Sequence, residues 1–316
     1  MNQQLPQQMS QPLSNAVMVR DLEVRIPSGD RSYAEPLLIV RGLDLTVPAG
    51  QVTALVGANG AGKTTTLRTV AGALAFSTGT VEVLGTALGP ARVRPPLGAA
   101  SMPDISAYPR RWTPQHVARL RERVVPGFDS ARFEELLTTF GVPHQRELRR
   151  LSRGQATQLG IAAALAQDPQ LLILDEPFAH LDPLARTELI EVLRDVMAHE
   201  GHTLLLATHD LDGMERFVDQ LVVIAQGRDV LSGEVESLRE EFLLCDLDRT
   251  DVETGPGQPF LGASSTGTGT RALIAVDDAV GLPAGASLRR PDVSEIVTHV
   301  LRAARTDAPS LRRTHR

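Results

Sequence analysis

Apolar positions along this chain fall into partly alternating stretches, short continuous runs and helical periodicities, in an order that predicts an α/β fold. Ala16–Ile26 and Leu37–Val47 keep partial alternation, as in Leu43, Leu45 and Val47. They read as strands of a half-exposed antiparallel sheet, separated by the polar stretch Pro27–Pro36. Pro48-Ala49-Gly50 turns the chain into Val52–Val56, a short apolar run rich in β-branched residues. Leu67, Val70, Ala71 and Leu74 then recur at helical spacing, so a strand passes almost directly into a helix. Thr80–Leu84 is a further strand, and Gly85–Gly98 is a Gly/Pro-rich connection.

From Arg111 to about Gln167 the pattern is helical. Pro114–Val125 and Asp129–Phe140 are predicted helices, the second with Asp129 as N-cap and Gly141 as terminator; Gln155–Ala166 is a third. Strand and helix then alternate again: Leu171–Leu174, Pro183–Ala198, Leu204–Thr208, a short helix at Leu211–Val218, and Leu221–Ala225. Beyond about Glu240 the rhythm is lost. Gly262–Thr270 reads as a Gly/Ser/Thr loop and Asp292–Ala304 as a closing helix.

The junction between Val56 and the first helix carries the chemistry. Gly57, Ala58, Asn59, Gly60, Ala61, Gly62, Lys63 and Thr64 spell glycine, four residues, then Gly-Lys-Thr. Glycines let backbone N–H groups turn inward around phosphate oxygens, and the following helix presents its positive end to the same anion. Lys63 supplies a point charge for the β- and γ-phosphates, and the Thr64 hydroxyl is a Mg²⁺ ligand candidate. Thr65 continues the loop into the helix. Of the 32 lysine and arginine residues, only Lys63 is a lysine. A bias that exchanged lysine for arginine everywhere else spared the one place where a compact ammonium and a planar guanidinium are not interchangeable.

Composition bounds the rest. The 316 residues fit one large α/β domain with appendages, and an aromatic share of 3% leaves the core to aliphatic side chains. A net charge of −6 and a pI near 5.8 argue against a general nucleic-acid binder. Between Arg92 and Arg153, however, 12 arginines face 6 acidic residues. That section is either a solvated helical lobe or a face for an acidic partner or anionic lipid headgroups. Cys245 is the only cysteine, so no internal disulfide forms and a reducing compartment fits. No stretch approaches a transmembrane helix. The N-terminal segment 1–15 reads as a disordered polar tail, not a signal peptide.

Two further apolar strands end in functional groups. Leu171–Leu174 delivers Asp175 and Glu176; beside the phosphate-loop strand, Asp175 would reach Mg²⁺ and Glu176 the water facing the γ-phosphate, as general base. Leu204–Thr208 delivers His209 to the same sheet end, where α/β sites sit. Leu151-Ser152-Arg153-Gly154-Gln155 opens a helix, and its small polar start suits a second anion.

With these segments in this order, the chain from roughly Ala16 to Glu236 resembles the ATPase subunits of ATP-binding cassette (ABC) transporters. Gly57–Thr64 matches the Walker A loop, Leu151–Gln155 the signature, Leu171–Pro177 the Walker B strand, Ala179–Asp182 the D-loop and His209 the switch histidine. The resemblance implies a P-loop NTPase with three lobes: a RecA-like ATP-binding core, an N-terminal antiparallel β-subdomain, and a helical subdomain near 90–165. The cassette would span 16–239, with a C-terminal appendage over 240–316.

It also implies ATP and Mg²⁺ as cofactors, with Glu176 and His209 catalytic. Ser152, Arg153, Gly154 and Gln155 would bind ATP held by a second subunit in a head-to-tail homo- or heterodimer. The membrane permease would be a separate chain and the location the inner face of the cell membrane. The long appendage and the sequence around Tyr108–Thr113 are most similar to bacterial export systems for drugs, peptides or lipids.

The chain departs from the family pattern at three places. Asp104 stands where the family has a glutamine that helps to hold Mg²⁺; a carboxylate is a reasonable ligand but cannot donate as an amide does. Arg153 replaces the signature's first glycine, adding charge near the phosphate or pointing outward. Ile26 stands where an adenine-stacking aromatic is expected, which leaves Tyr33 as the substitute or base recognition weak. Two other readings are a soluble cassette ATPase acting on ribosomes or DNA, and a regulatory module that holds ATP without turnover. A single Walker A loop and the lack of sustained heptads weigh against the first.

Overall fold

The computed structural model describes residues 14–27, 35–91, 94–211, 213–248, 260–267, 269–279, 282 and 286–306. The N-terminal tail up to residue 13 and Tyr33 lie outside the described residues. Strands β1 (Asn15–Ile26) and β2 (Leu37–Pro48) pair antiparallel, with Val19 opposite Leu45 and Val24 opposite Val40. β3 (Val52–Val56) runs through the phosphate loop into α1 (Lys63–Val70). β4 (Thr78–Val83) and the two-residue β5 (Thr86–Ala87) extend the first sheet, in the order β2-β1-β4-β5.

β6 (Ala99–Ser101) leads into the helical lobe of α2 (Pro114–Val124), α3 (Ser130–Thr139) and α4 (Arg153–Leu165). Asp129 caps α3 through two backbone N–H groups, and Gly141 follows its end with φ +62°. The chain then continues as β7 (Leu171–Asp175), α5 (Pro183–Met197), β8 (Thr203–Thr208), β9 (Gln220–Ala225), β10 (Arg228–Glu234) and α6 (Val235–Glu241).

The central sheet has the order β10-β9-β3-β8-β7-β6, with β10 antiparallel and the rest parallel. β3 and β8 are buried at every position because helices cover one face and the β1–β2 sheet the other, hence their unbroken apolar runs. The period-2 alternation divides each strand between two cores. Ala54, Val56, Leu172, Leu174, Leu204 and Leu206 face α4 and α5, while Leu55, Ile173, Leu205 and Ala207 face β1, β2 and α1.

The structure differs from the sequence reading in three places. Residues 213–217 are turns, not part of a helix. The segment beyond Glu240 is ordered as β11 (Phe242–Leu247), β12 (Leu261–Ser265), β13 (Thr270–Ala275), β14 (Ser287–Arg289) and α7 (Val293–Thr306). Much of the expected Gly262–Thr270 loop is therefore a strand and hairpin in a sheet ordered β12-β13-β11-β14. Small and polar residues are tolerated there because β12 lies at the sheet edge, with only partly buried side chains. Finally, β6 places Ala99–Ser101 in the central sheet, so the helices begin only after it. Among the described residues no helix is long and apolar enough to cross a membrane.

Candidate functional site

Parallel register brings three strand ends together. Val56 on β3 pairs with Thr208 on β8, and Asp175 on β7 pairs with Ala207 on β8. The loop after β3, Asp175 and Glu176 at the end of β7 and His209 after β8 thus lie side by side, at the carboxyl edge where open α/β sheets bind ligands.

The loop is shaped by its glycines. An added Cβ at Gly57 would lie 2.4 Å from the Ile224 carbonyl oxygen, so only glycine fits there. Gly62, with φ +110°, is the N-cap of α1. Its left-handed backbone starts the helix with unpaired N–H groups aimed at the loop's interior. Lys63 is 6% exposed, and its Nζ donates to the Gly57 carbonyl at 2.7 Å. The same ammonium lies 3.2 Å from Glu176 Oε1.

Glu176 occupies a left-handed backbone conformation, φ +49°, fixed by donation from its N–H to the Ala207 carbonyl at 2.8 Å. This turns its side chain back over the sheet edge, where Oε2 lies 2.8 Å from His209 Nδ1. Asp175 sits deeper. Burial pushes its carboxyl above the usual range, while hydrogen bonding to Thr64 pulls it down and the Glu176 charge raises it again. Its Oδ1 is buried with no hydrogen-bond partner. A buried acidic oxygen that the protein leaves unpaired, beside a threonine hydroxyl, is a donor set suited to a hard divalent cation.

Ser152 and Gln155 form a reciprocal capping box at the start of α4: Ser152 Oγ accepts from the Gln155 N–H and Gln155 Oε1 from the Ser152 N–H. Gly154 packs so tightly against the turn between β7 and α5 that a Cβ would lie 2.8 Å from the His180 carbonyl oxygen. Among the described residues no hydrogen bond or ion pair joins Ser152–Gln155 to the phosphate loop. The exposed end of α4 instead faces outward. Arg153 is exposed and, with Asp104, Arg68 and Asp175, lines a cavity of about 810 Å³.

Asp104 caps a short turn, its Oδ1 accepting from the Ser106 N–H at 2.9 Å and the Ser106 hydroxyl at 2.6 Å, which holds its carboxyl below the usual range. Ile26 is half-buried at the end of β1, opposite Leu37. Sequence reasoning missed two contributors to the site. Arg68 on α1 adds positive charge near both Asp104 and Asp175. The Gln226-Gly227 turn of the β9–β10 hairpin supports the loop, with the Gly227 N–H donating to the Ala61 carbonyl at 2.9 Å. A glycine turn between two apolar runs was the available signal.

Comparison with known proteins identifies the family and the fold. The family described as ABC transporter matches residues 40–179. Nod factor export ATP-binding protein I of Sinorhizobium fredii (strain NBRC 101917 / NGR234) is 35% identical over 252 residues, covering 76% of this chain and 69% of that protein. A solved ATP-binding subunit of an ABC transporter superposes with a TM-score of 0.59 at 29% identity, over 71% of this chain and 92% of that one. An ATP-binding cassette in a dimeric post-hydrolysis state, with ADP and Pi bound, shares the fold at 17% identity and TM-score 0.59, over 69% and 98% of the two chains.

Proposed function

This chain belongs to the ABC transporter family as an ATP-binding, ATP-hydrolysing subunit, and we propose that it energises export of a drug, peptide or lipid through membrane-spanning subunits supplied as separate chains. The relative named for Nod factor export, similar over three quarters of the chain, supports the export direction. In this reading the protein is cytoplasmic and peripheral on the inner face of the cell membrane.

The chemistry rests on one observation: Glu176 is held between Lys63 and His209 at the end of the strand that carries Asp175. The backbone N–H groups from Gly57 to Thr65 and the Lys63 ammonium hold the β- and γ-phosphates. Thr64 and Asp175 are the residues that would hold Mg²⁺, with Asp104, which lines the same cavity as Asp175, as a further candidate. When bound, the ion neutralises charge on the phosphates. The Glu176 carboxylate takes the proton from the attacking water, and His209 fixes its orientation through the 2.8 Å contact. Ser152, Arg153, Gly154 and Gln155 present the N-terminus of α4 to ATP held by a second subunit, head to tail.

The test combines phosphate release by the parent and by Glu176→Gln with purification from solubilised membranes. A polytopic membrane protein that co-purifies and accelerates hydrolysis is the expected result. Recovery of an active ATPase from membranes without any such partner would remove the transport part of the proposal and leave the ATPase part standing.

A further inference from the structure

Helix α7, the last described element, is bonded to the ATPase core near both of its ends. Close to its start, the Ser294 hydroxyl donates to Glu215 Oε1 at 3.1 Å. Close to its finish, the Ala304 carbonyl accepts from Gln226 Nε2 at 3.3 Å. Along the helix Val293, Ile296, Val297 and Val300 belong to the same buried core as Leu211, Met214 and Phe217.

Each anchor is a short step from the nucleotide site. Glu215 lies in the run of turns that follows His209, and that run has no strand or helix ladder of its own. Its backbone bonds are local, from the Met214 N–H to Leu211 and from the Phe217 and Val218 N–H groups to Met214. A segment built only from turns takes its position from what its side chains meet. Here that includes α7, through the Ser294–Glu215 bond. Gln226 adjoins Gly227, whose N–H holds the Ala61 carbonyl of the phosphate loop and whose carbonyl accepts from the Arg41 N–H at 2.8 Å. This turn has little freedom to shift, because a Cβ at Gly227 would lie 2.2 Å from the Ile39 carbonyl oxygen.

We propose that α7 is a positioning brace for ATP hydrolysis, fixing the His209 segment through Ser294–Glu215 and the phosphate loop through Gln226. Anything that displaces the C-terminal sheet and α7 then changes turnover without touching the nucleotide. The inference rests on the assignment of His209 and the phosphate loop made above, and the two anchors act on different steps. The first governs kcat, by aligning His209 with Glu176. The second governs ATP affinity.

The experiment uses the full chain, with steady-state hydrolysis and calorimetric ATP binding. Ser294→Ala and Glu215→Ala should each lower kcat roughly three- to tenfold, the scale of one lost hydrogen bond, with KM for ATP within about twofold of the parent. The double variant should be no worse than either single one, since both remove the same bond. Ser294→Thr keeps the hydroxyl and should restore kcat, whereas Gln226→Leu should weaken ATP binding and spare kcat. His209→Ala is measured alongside. If it leaves hydrolysis intact, the site assignment fails. If it abolishes hydrolysis while the Ser294, Glu215 and Gln226 variants keep parental kcat and affinity, the brace is overturned; additive losses in the double variant overturn it equally.

Discussion

Glu176 Oε1 lies 3.2 Å from Lys63 Nζ, so the proposed base and the proposed phosphate-binding cation sit against each other. Each lowers the cost of burying the other's charge. A triphosphate entering the loop competes with Glu176 for the ammonium, and the carboxylate is then left to His209 and water.

Glu176→Gln therefore separates binding from chemistry. The amide keeps the volume and the reach but not the basicity. Hydrolysis should fall on the order of 10²–10⁴-fold, the usual cost of losing a general base. ATP binding should survive, and unhydrolysed nucleotide should hold a dimer together. Size-exclusion chromatography with and without Mg-ATP checks the dimer, and phosphate release checks the rate. Asp175→Asn should instead lose the Mg²⁺ dependence and the dimer together.

Lys63→Ala should abolish measurable ATP binding in calorimetry, because it removes the cation and leaves the glycines in place. Lys63→Arg should fail nearly as badly. The side chain is 6% exposed and points into backbone carbonyls, a space that suits a compact ammonium and not a planar fork. Parental affinity in either variant would count against the assignment of this loop.

Asp104 and Arg153 line one cavity but should behave differently. Asp104→Asn keeps an acceptor for Ser106 and removes the charge, so a rise in the Mg²⁺ concentration needed for half-maximal hydrolysis would report a ligand role. An unchanged Mg²⁺ dependence would leave Asp104 as the cap of its turn. Arg153→Gly should leave ATPase activity within a few-fold, in keeping with its exposed position; a loss above about tenfold, roughly 1.4 kcal/mol, would place the guanidinium at the phosphates.

The C-terminal sheet should be acid-sensitive through His299. This residue is 4% exposed, its Nδ1–H donates to the Gly262 carbonyl at 2.8 Å, and burial holds its pKa below the ordinary 6.5, with Arg302 adding to the effect and the Gly262 bond opposing it. The unfolded chain takes up a proton more readily than the folded one. Stability is thus fully present above pH 6.5 and is lost as the pH falls from there toward the lowered value. The slope is at most about 1.4 kcal/mol per pH unit, or roughly 2 °C in a chain of this size. His299→Gln keeps a donor for Gly262 and should flatten the melting temperature between pH 7.5 and 5.5.

What the sequence disclosed follows from where each segment's information lies. β3, β7 and β8 were legible because burial on both faces leaves unbroken apolar runs that no polar surface interrupts. Their loop ends were legible too, since a phosphate cradle needs glycines at fixed offsets. The stretch from Leu211 to Val218 misled, because Leu211, Met214, Phe217 and Val218 stand at helical spacing and are buried in the main core, yet residues 213–217 are turns. Periodicity records which side chains are buried, and a run of turns can bury the same ones. β12 hid in a Gly/Ser/Thr composition, its place set by pairing with Thr270–Leu273 on β13. The Ser294–Glu215 bond joins residues far apart in the chain, and nothing local to either announces it.

The burial of Lys63 has a practical side. Because Lys63 is the one lysine in the sequence, amine-directed reagents meet one side-chain amine, and a lysine-specific protease meets one cleavage point. Both lie inside the phosphate loop, closed off by the Gly57 carbonyl and Glu176. Labelling or cutting at that point is therefore a built-in clock for opening of the loop. Any compound that slows the clock has bound there, or has tightened what surrounds it.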